Sequence, residues 1–75
     1  MTIEEVEIAL DMMITNMNGT ATEIMCHYGL FLELRKKLRV AEGNVLTYKG
    51  LPIKFDPIAP PNTLYVLSTH NVFEV

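Results

Sequence analysis

Ile3, Val6, Leu10, Met13, Ile14 and Met17 recur at spacings of three and four, so one apolar stripe runs down a helix while Glu4, Glu7 and Asp11 load its other face. Thr2 followed three residues later by Glu5 is a capping box that starts this helix, and Asn16-Met17-Asn18-Gly19 ends it. From Thr20 to Cys26 the pattern changes: Thr22, Ile24 and Cys26 alternate with Glu23 and Met25, which predicts a short strand. Helical spacing returns in Leu30, Phe31, Leu34, Leu38 and Ala41, with Glu42-Gly43-Asn44 as the stop signal.

Beyond Val45 the period is two. Val45 to Lys49 and Leu51 to Asp56 flank Gly50, a residue suited to a tight connection because it takes positive φ freely. Leu51, Ile53 and Phe55 alternate with Pro52, Lys54 and Asp56, a strand with one buried face. Pro52 cannot donate to a ladder, which places it on an edge strand or near the start of pairing. Asp56-Pro57-Ile58-Ala59-Pro60-Pro61-Asn62 is a stiff loop, since its prolines fix φ and extend the residues before them. Thr63 to Ser68 is apolar on both faces and reads as a central strand, with Leu64 and Val66 in the core. Val72 to Val75 begins a further extended run after Thr69-His70-Asn71. The expected architecture is α+β: one domain over residues 1–75, with two helices packed on one face of a small mixed sheet of three to five strands. Strand order stays open.

Composition narrows the function classes. A chain of 75 residues buries only roughly 60% of the surface its unfolded form exposes, so apolar surface is left over for a partner. A net charge of −3 disfavours nucleic acid as a partner, because phosphate neutralisation needs a basic footprint. The single cysteine, Cys26, forms no internal disulfide and fits a reducing compartment. The acidic start, Met1-Thr2-Ile3-Glu4-Glu5, is unlike a signal peptide, and no apolar run approaches the ~20 residues of a membrane span. A soluble protein without a membrane partner is the expectation.

Candidate chemistry is sparse. Cys26 beside His27 suggests a nucleophile and base or two metal ligands, but neighbouring strand residues face opposite ways and no further ligand pair exists at suitable spacing. His70 with Asp56 lacks a nucleophile in the same way. There is no glycine-rich phosphate loop, nucleophile elbow or paired zinc motif, so no enzyme, cofactor, metal or small-molecule substrate is expected. Met12, Met13, Met17 and Met25 read either as an adaptable binding surface or as filling for a small core. Charge is segregated: residues 1 to 26 hold five acids and no base, whereas all six bases lie between Arg35 and Lys54. This arrangement suits head-to-tail contact between copies, or else a solvated helix face with cations at a helix C-terminus. Arg35, Lys36, Lys37 and Arg39 are the interaction candidates there. A nucleic-acid role for that cluster is the weakest reading, since it lacks interleaved aromatics.

Thr22-Glu23-Ile24-Met25-Cys26-His27, Phe31-Leu32-Glu33-Leu34-Arg35-Lys36-Lys37-Leu38, Thr47-Tyr48-Lys49-Gly50-Leu51-Pro52-Ile53-Lys54-Phe55-Asp56 and Pro61-Asn62-Thr63-Leu64-Tyr65-Val66-Leu67 follow the first helix in order. This series resembles the late part of tailed-bacteriophage major capsid proteins of the HK97 fold. The similar part is the axial domain, which gathers around capsomer centres. The long spine helix, N-terminal arm and extended loop of those proteins have no counterpart in these residues. The resemblance implies a non-enzymatic structural or assembly protein of the virion or host cytoplasm, acting by self-association. It also implies a hairpin shaped by Gly50 and Pro52, and an exposed loop bearing Asp56, Pro60, Pro61 and Asn62. The alternative is a small phage-encoded binding module that inhibits or adapts a host or viral protein.

Overall fold

A computed structural model of the chain describes residues 2–68. The expected run Val72 to Val75 and His70 lie outside the described residues. Helix α1 spans Ile3–Asn16. Its capping box is formed: the Thr2 amide donates to Glu5 Oε1 at 2.8 Å and the Glu5 amide to Thr2 Oγ1 at 3.2 Å, supplying partners that a helix start otherwise lacks. The helix stops where Thr20 turns both its amide and its hydroxyl onto the Met17 carbonyl, at 3.0 and 2.7 Å.

Strand β1 follows as Ala21–Cys26, helix α2 as Tyr28–Leu38, and then β2 (Thr47–Tyr48), β3 (Leu51–Phe55) and β4 (Leu64–Ser68). The sheet order is β2-β3-β1-β4, with β1 parallel to β3 and antiparallel to β4. Parallel neighbours cannot be joined by a tight turn, so α2 and the chain up to Leu46 form the connection between them. Hairpin β2–β3 turns through Lys49 at φ 51° and Gly50 at φ 82°, the left-handed pair favoured in a two-residue connection.

Ile24 sits opposite Ile53 on one side and Val66 on the other, and this row is the floor of the core. Around it Cys26, Leu46, Val6 and Leu10 of α1, and Leu30, Phe31 and Leu34 of α2 make one buried cluster. Ile3, Met13, Ile14 and Met17 pack against that cluster, so Met13 and Met17 act as filling, whereas Met12 is exposed.

Five details differ from the sequence reading. The strand expected over Val45 to Lys49 shrinks to β2, Thr47–Tyr48, because Lys49 enters the left-handed region and belongs to the turn. Strand β4 is one edge of the described sheet, with β2 at the other, and not a central strand. The two edges of β1 are taken by β3 and β4, and nothing in the apolar run itself records that order. Leu64 is half-buried against the cluster while Val66 is 7% exposed, so only Val66 is fully a core residue. Helix α2 ends at Leu38 and not near Ala41, because Arg39 enters the left-handed region at φ 58° and the Val40 amide returns to the Arg35 carbonyl at 3.1 Å. The ladder is irregular between Ala21 and Glu23, which leaves Thr22 exposed, its hydroxyl donating to the Leu67 carbonyl. Pro52 precedes the first β1–β3 pair, Ile24 with Ile53, so its missing N–H is not needed on that side.

Leu10→Ala, at a site with 0% exposure, should cost about 2–5 kcal/mol in urea unfolding. Gly50→Ala should cost about 1 kcal/mol, all of it conformational, because an added Cβ would meet nothing within 4 Å.

Candidate interaction surface

Most of the segregated charge is spent inside the molecule. Lys37 Nζ lies 3.9 Å from Glu4 Oε2 and 3.8 Å from Glu7 Oε1, tying α2 to α1. Lys49 Nζ lies 2.8 Å from Asp11 Oδ1, the oxygen that also accepts the Tyr48 hydroxyl at 2.8 Å. Lys54 reaches Glu23 at 3.7 Å. The acids at the beginning of the chain therefore face bases of its middle within one molecule. Each exposed pair contributes little alone. The Lys49 and Tyr48 hydrogen bonds hold the Asp11 carboxyl below its usual range, and burial together with Asp11 pushes Tyr48 up to about 12.

Among the predicted site residues, Lys37 is thus an internal bridge. Arg35, Lys36 and Arg39 make no ion pair with another described residue and line a groove at the end of α2 with Leu32, Val40, Ala41 and Glu42. Gly50 and Pro52 lie on the β2–β3 hairpin, apart from the loop residues.

That loop, residues 56–63, is fixed along its length. The Asp56 amide donates to the Cys26 carbonyl at 2.8 Å, so Asp56 emerges beside the end of β1. Its carboxylate accepts the Ile58 amide at 3.1 Å on one oxygen and the Tyr65 hydroxyl at 3.1 Å on the other. The His27 amide donates to the Thr63 carbonyl at 2.9 Å, while His27 Nδ1 lies 3.1 Å from the Ala59 carbonyl, a bond that puts the proton on that nitrogen. Gly29 gives the imidazole its room: a Cβ there would stand 3.1 Å from His27 Cδ2. Burial and the bond to Asp56 raise the Tyr65 hydroxyl above its usual range.

This fixed loop displays its apolar residue outward. Ile58 is 89% exposed, and Pro60, Pro61 and Asn62 are exposed beside it in sequence. At the adjoining strand end, Phe55 packs edge-on against Tyr28 and Phe31, with ring centroids 4.8 and 5.3 Å apart, yet Phe55 and Tyr28 stay 42% and 48% exposed. Aromatic pairs in this geometry hold their shape without a partner. Tyr28 and Phe31 are visible in the sequence as an aromatic pair one helical turn apart, but their meeting with Phe55 follows only from the parallel register.

Chemistry at Cys26 is closed off. The residue is buried, its Sγ lies 3.8 Å from the Lys54 carbonyl, and burial pushes the thiol from the ordinary 9.0 up to about 11, so little nucleophilic thiolate exists at neutral pH. Among the described residues no group of three metal-ligating side chains converges, and no helix is long and apolar enough to cross a membrane. No protein-family model, curated protein or solved structure matches the chain.

Asp56→Ala removes the acceptor for Ile58 and Tyr65 and should cost about 1–3 kcal/mol, with faster amide hydrogen exchange at Ile58. Stability should also depend on pH at both ends. The lowered Asp11 and Glu5 values stabilise the fold above the ordinary carboxylate range, and that contribution is lost as pH falls through the folded-state values. The raised Cys26 and Tyr48 values contribute fully below the ordinary 9.0 and 10.0, and are lost as pH climbs toward about 11 and 12. Thermal melts across pH should therefore be flat near neutrality and fall on both flanks.

Proposed function

We propose that the chain is a non-enzymatic assembly domain, of the capsid axial-domain type that its motifs resemble, and that it works by association with further copies of itself. The observation that carries this reading is Ile58, 89% exposed on a loop whose backbone is already tied down by Asp56, His27 and Tyr65. Large apolar side chains on a rigid support lose little conformational freedom on docking, so burial in an interface contributes nearly in full. Tyr28 and Phe55 extend the same end of the sheet with aromatic surface of the kind that dominates interface energetics. The mechanism needs no catalytic group. Copies meet through the loop end, and the inert Cys26 and the hydrogen-bonded His27 hold that end in shape.

The test is light scattering after size exclusion from about 10 μM to about 1 mM. The native chain should gain mass with concentration, and Ile58→Asp should stay monomeric with an unchanged melting temperature. A native chain that remains monomeric throughout contradicts self-association. If it instead captures one host or viral protein at equal stoichiometry through the same loop, the binding-module reading takes its place.

A further inference from the structure

We infer that the groove at the C-terminal end of α2 is a second binding site, one that takes an acidic peptide segment of a partner protein. The inference is independent of self-association through the loop.

Charge placement is the first ground. Of the six cations, Lys37, Lys49 and Lys54 are paired with acids of the chain, and the three others, Arg35, Lys36 and Arg39, converge on one groove of about 430 Å³. That size falls within the roughly 300–1,000 Å³ typical of ligand pockets. Arg35 supplies the second ground. Its guanidinium lies over the Phe31 ring, 4.8 Å from the centroid, and its buried Nε–H has no hydrogen-bond partner among the described residues. A buried charged donor without an acceptor is uncommon in a native fold. Stacking on Phe31 restrains the guanidinium, and its terminal N–H groups, besides the buried Nε–H, offer the parallel pair of donors that a carboxylate accepts.

The chain path is the third ground. Arg39 occupies the left-handed region, which favours glycine, and the turn it makes brings Val40, Ala41 and Glu42 back beside α2. Leu32, Val40 and Ala41 give the groove an apolar lining between the cations. A carboxylate flanked by apolar side chains matches both parts of this lining. Nucleic acid matches it poorly: no aromatic residue lines the groove for base stacking, and the apolar lining has no counterpart in a phosphate backbone.

A fluorescein-labelled peptide of alternating glutamate and leucine tests this directly by anisotropy, with amide NMR shifts to locate it. The peptide should bind and shift Arg35, Lys36, Arg39, Val40 and Ala41, and the matching glutamine–leucine peptide should bind at least about tenfold more weakly. Arg35→Gln and Arg39→Gly should each weaken binding by about tenfold. Arg39→Gly should do so without lowering the melting temperature, since glycine suits that backbone, and Lys54→Gln should change nothing. Absence of binding, unchanged affinity in the two arginine variants, shifts centred elsewhere, or equal binding of single-stranded DNA or inorganic phosphate would each overturn the assignment.

Discussion

The parallel pairing of β1 with β3 is the constraint on which the other features depend. Ile24 and Cys26, both with 0% exposure, stand at the centre of the sheet and require a neighbour on each side. One neighbour, β4, arrives antiparallel. The other must run parallel, so the chain spends α2 and the segment up to Leu46 on the return, and α2 brings Leu30, Phe31 and Leu34 to the same core. The same register sets Cys26 beside Phe55, so the chain leaves β1 and β3 at adjacent points. His27 and Asp56 are the next residues on the two strands, and they close the loop 56–63 between them with Tyr65. The exposed end of the molecule is thus a consequence of strand direction: loops after parallel strands gather at the carboxyl edge of a sheet, where binding surfaces commonly lie.

Electrostatics follows the same layout. Acids cluster early in the chain and bases in its middle because those segments become neighbours: α1 meets the last turns of α2 through Lys37, and the β2–β3 hairpin through Lys49 and Tyr48. Such exposed pairs add little stability apiece. Their consequence is which cations are left without an acid partner among the described residues. Once they are formed, the remaining cations are confined to the groove behind Arg39. An acidic chain thus carries a local basic site without a basic face.

Much of the fold was legible because it is set by local chemistry. The Thr2 and Glu5 box, the apolar stripes of both helices, the Lys49-Gly50 turn and the proline-stiffened loop each act over a few residues, and pattern alone finds them. What was not legible is set by pairing across the chain. The doubly apolar stretch Leu64 to Leu67 reads as a central strand, yet its alternate residues are used differently: Val66 enters the core, and Tyr65 reaches out to Asp56. The early stop of α2 at Leu38 is likewise hidden, since arginine is an unusual residue for a left-handed helix end. At the candidate surface, Asp56, Pro60, Pro61 and Asn62 were visible as a loop. The grip of His27 on Ala59 joins residues 32 positions apart and the contact of Tyr28 with Phe55 follows from the strand register, while the space left by Gly29 matters only once the His27 ring is turned toward Ala59.

The central claim is that the fixed loop at the carboxyl edge is where copies of the chain meet. The most direct measurement is an amide-resolved NMR dilution series on the native chain. The account predicts concentration-dependent shifts at Tyr28, Phe55 and Ile58 and through the rest of the loop to Thr63, with Arg35, Lys36 and Arg39 unmoved. Spectra that do not change with concentration, or shifts confined to α1 or the β2–β3 hairpin, would contradict it.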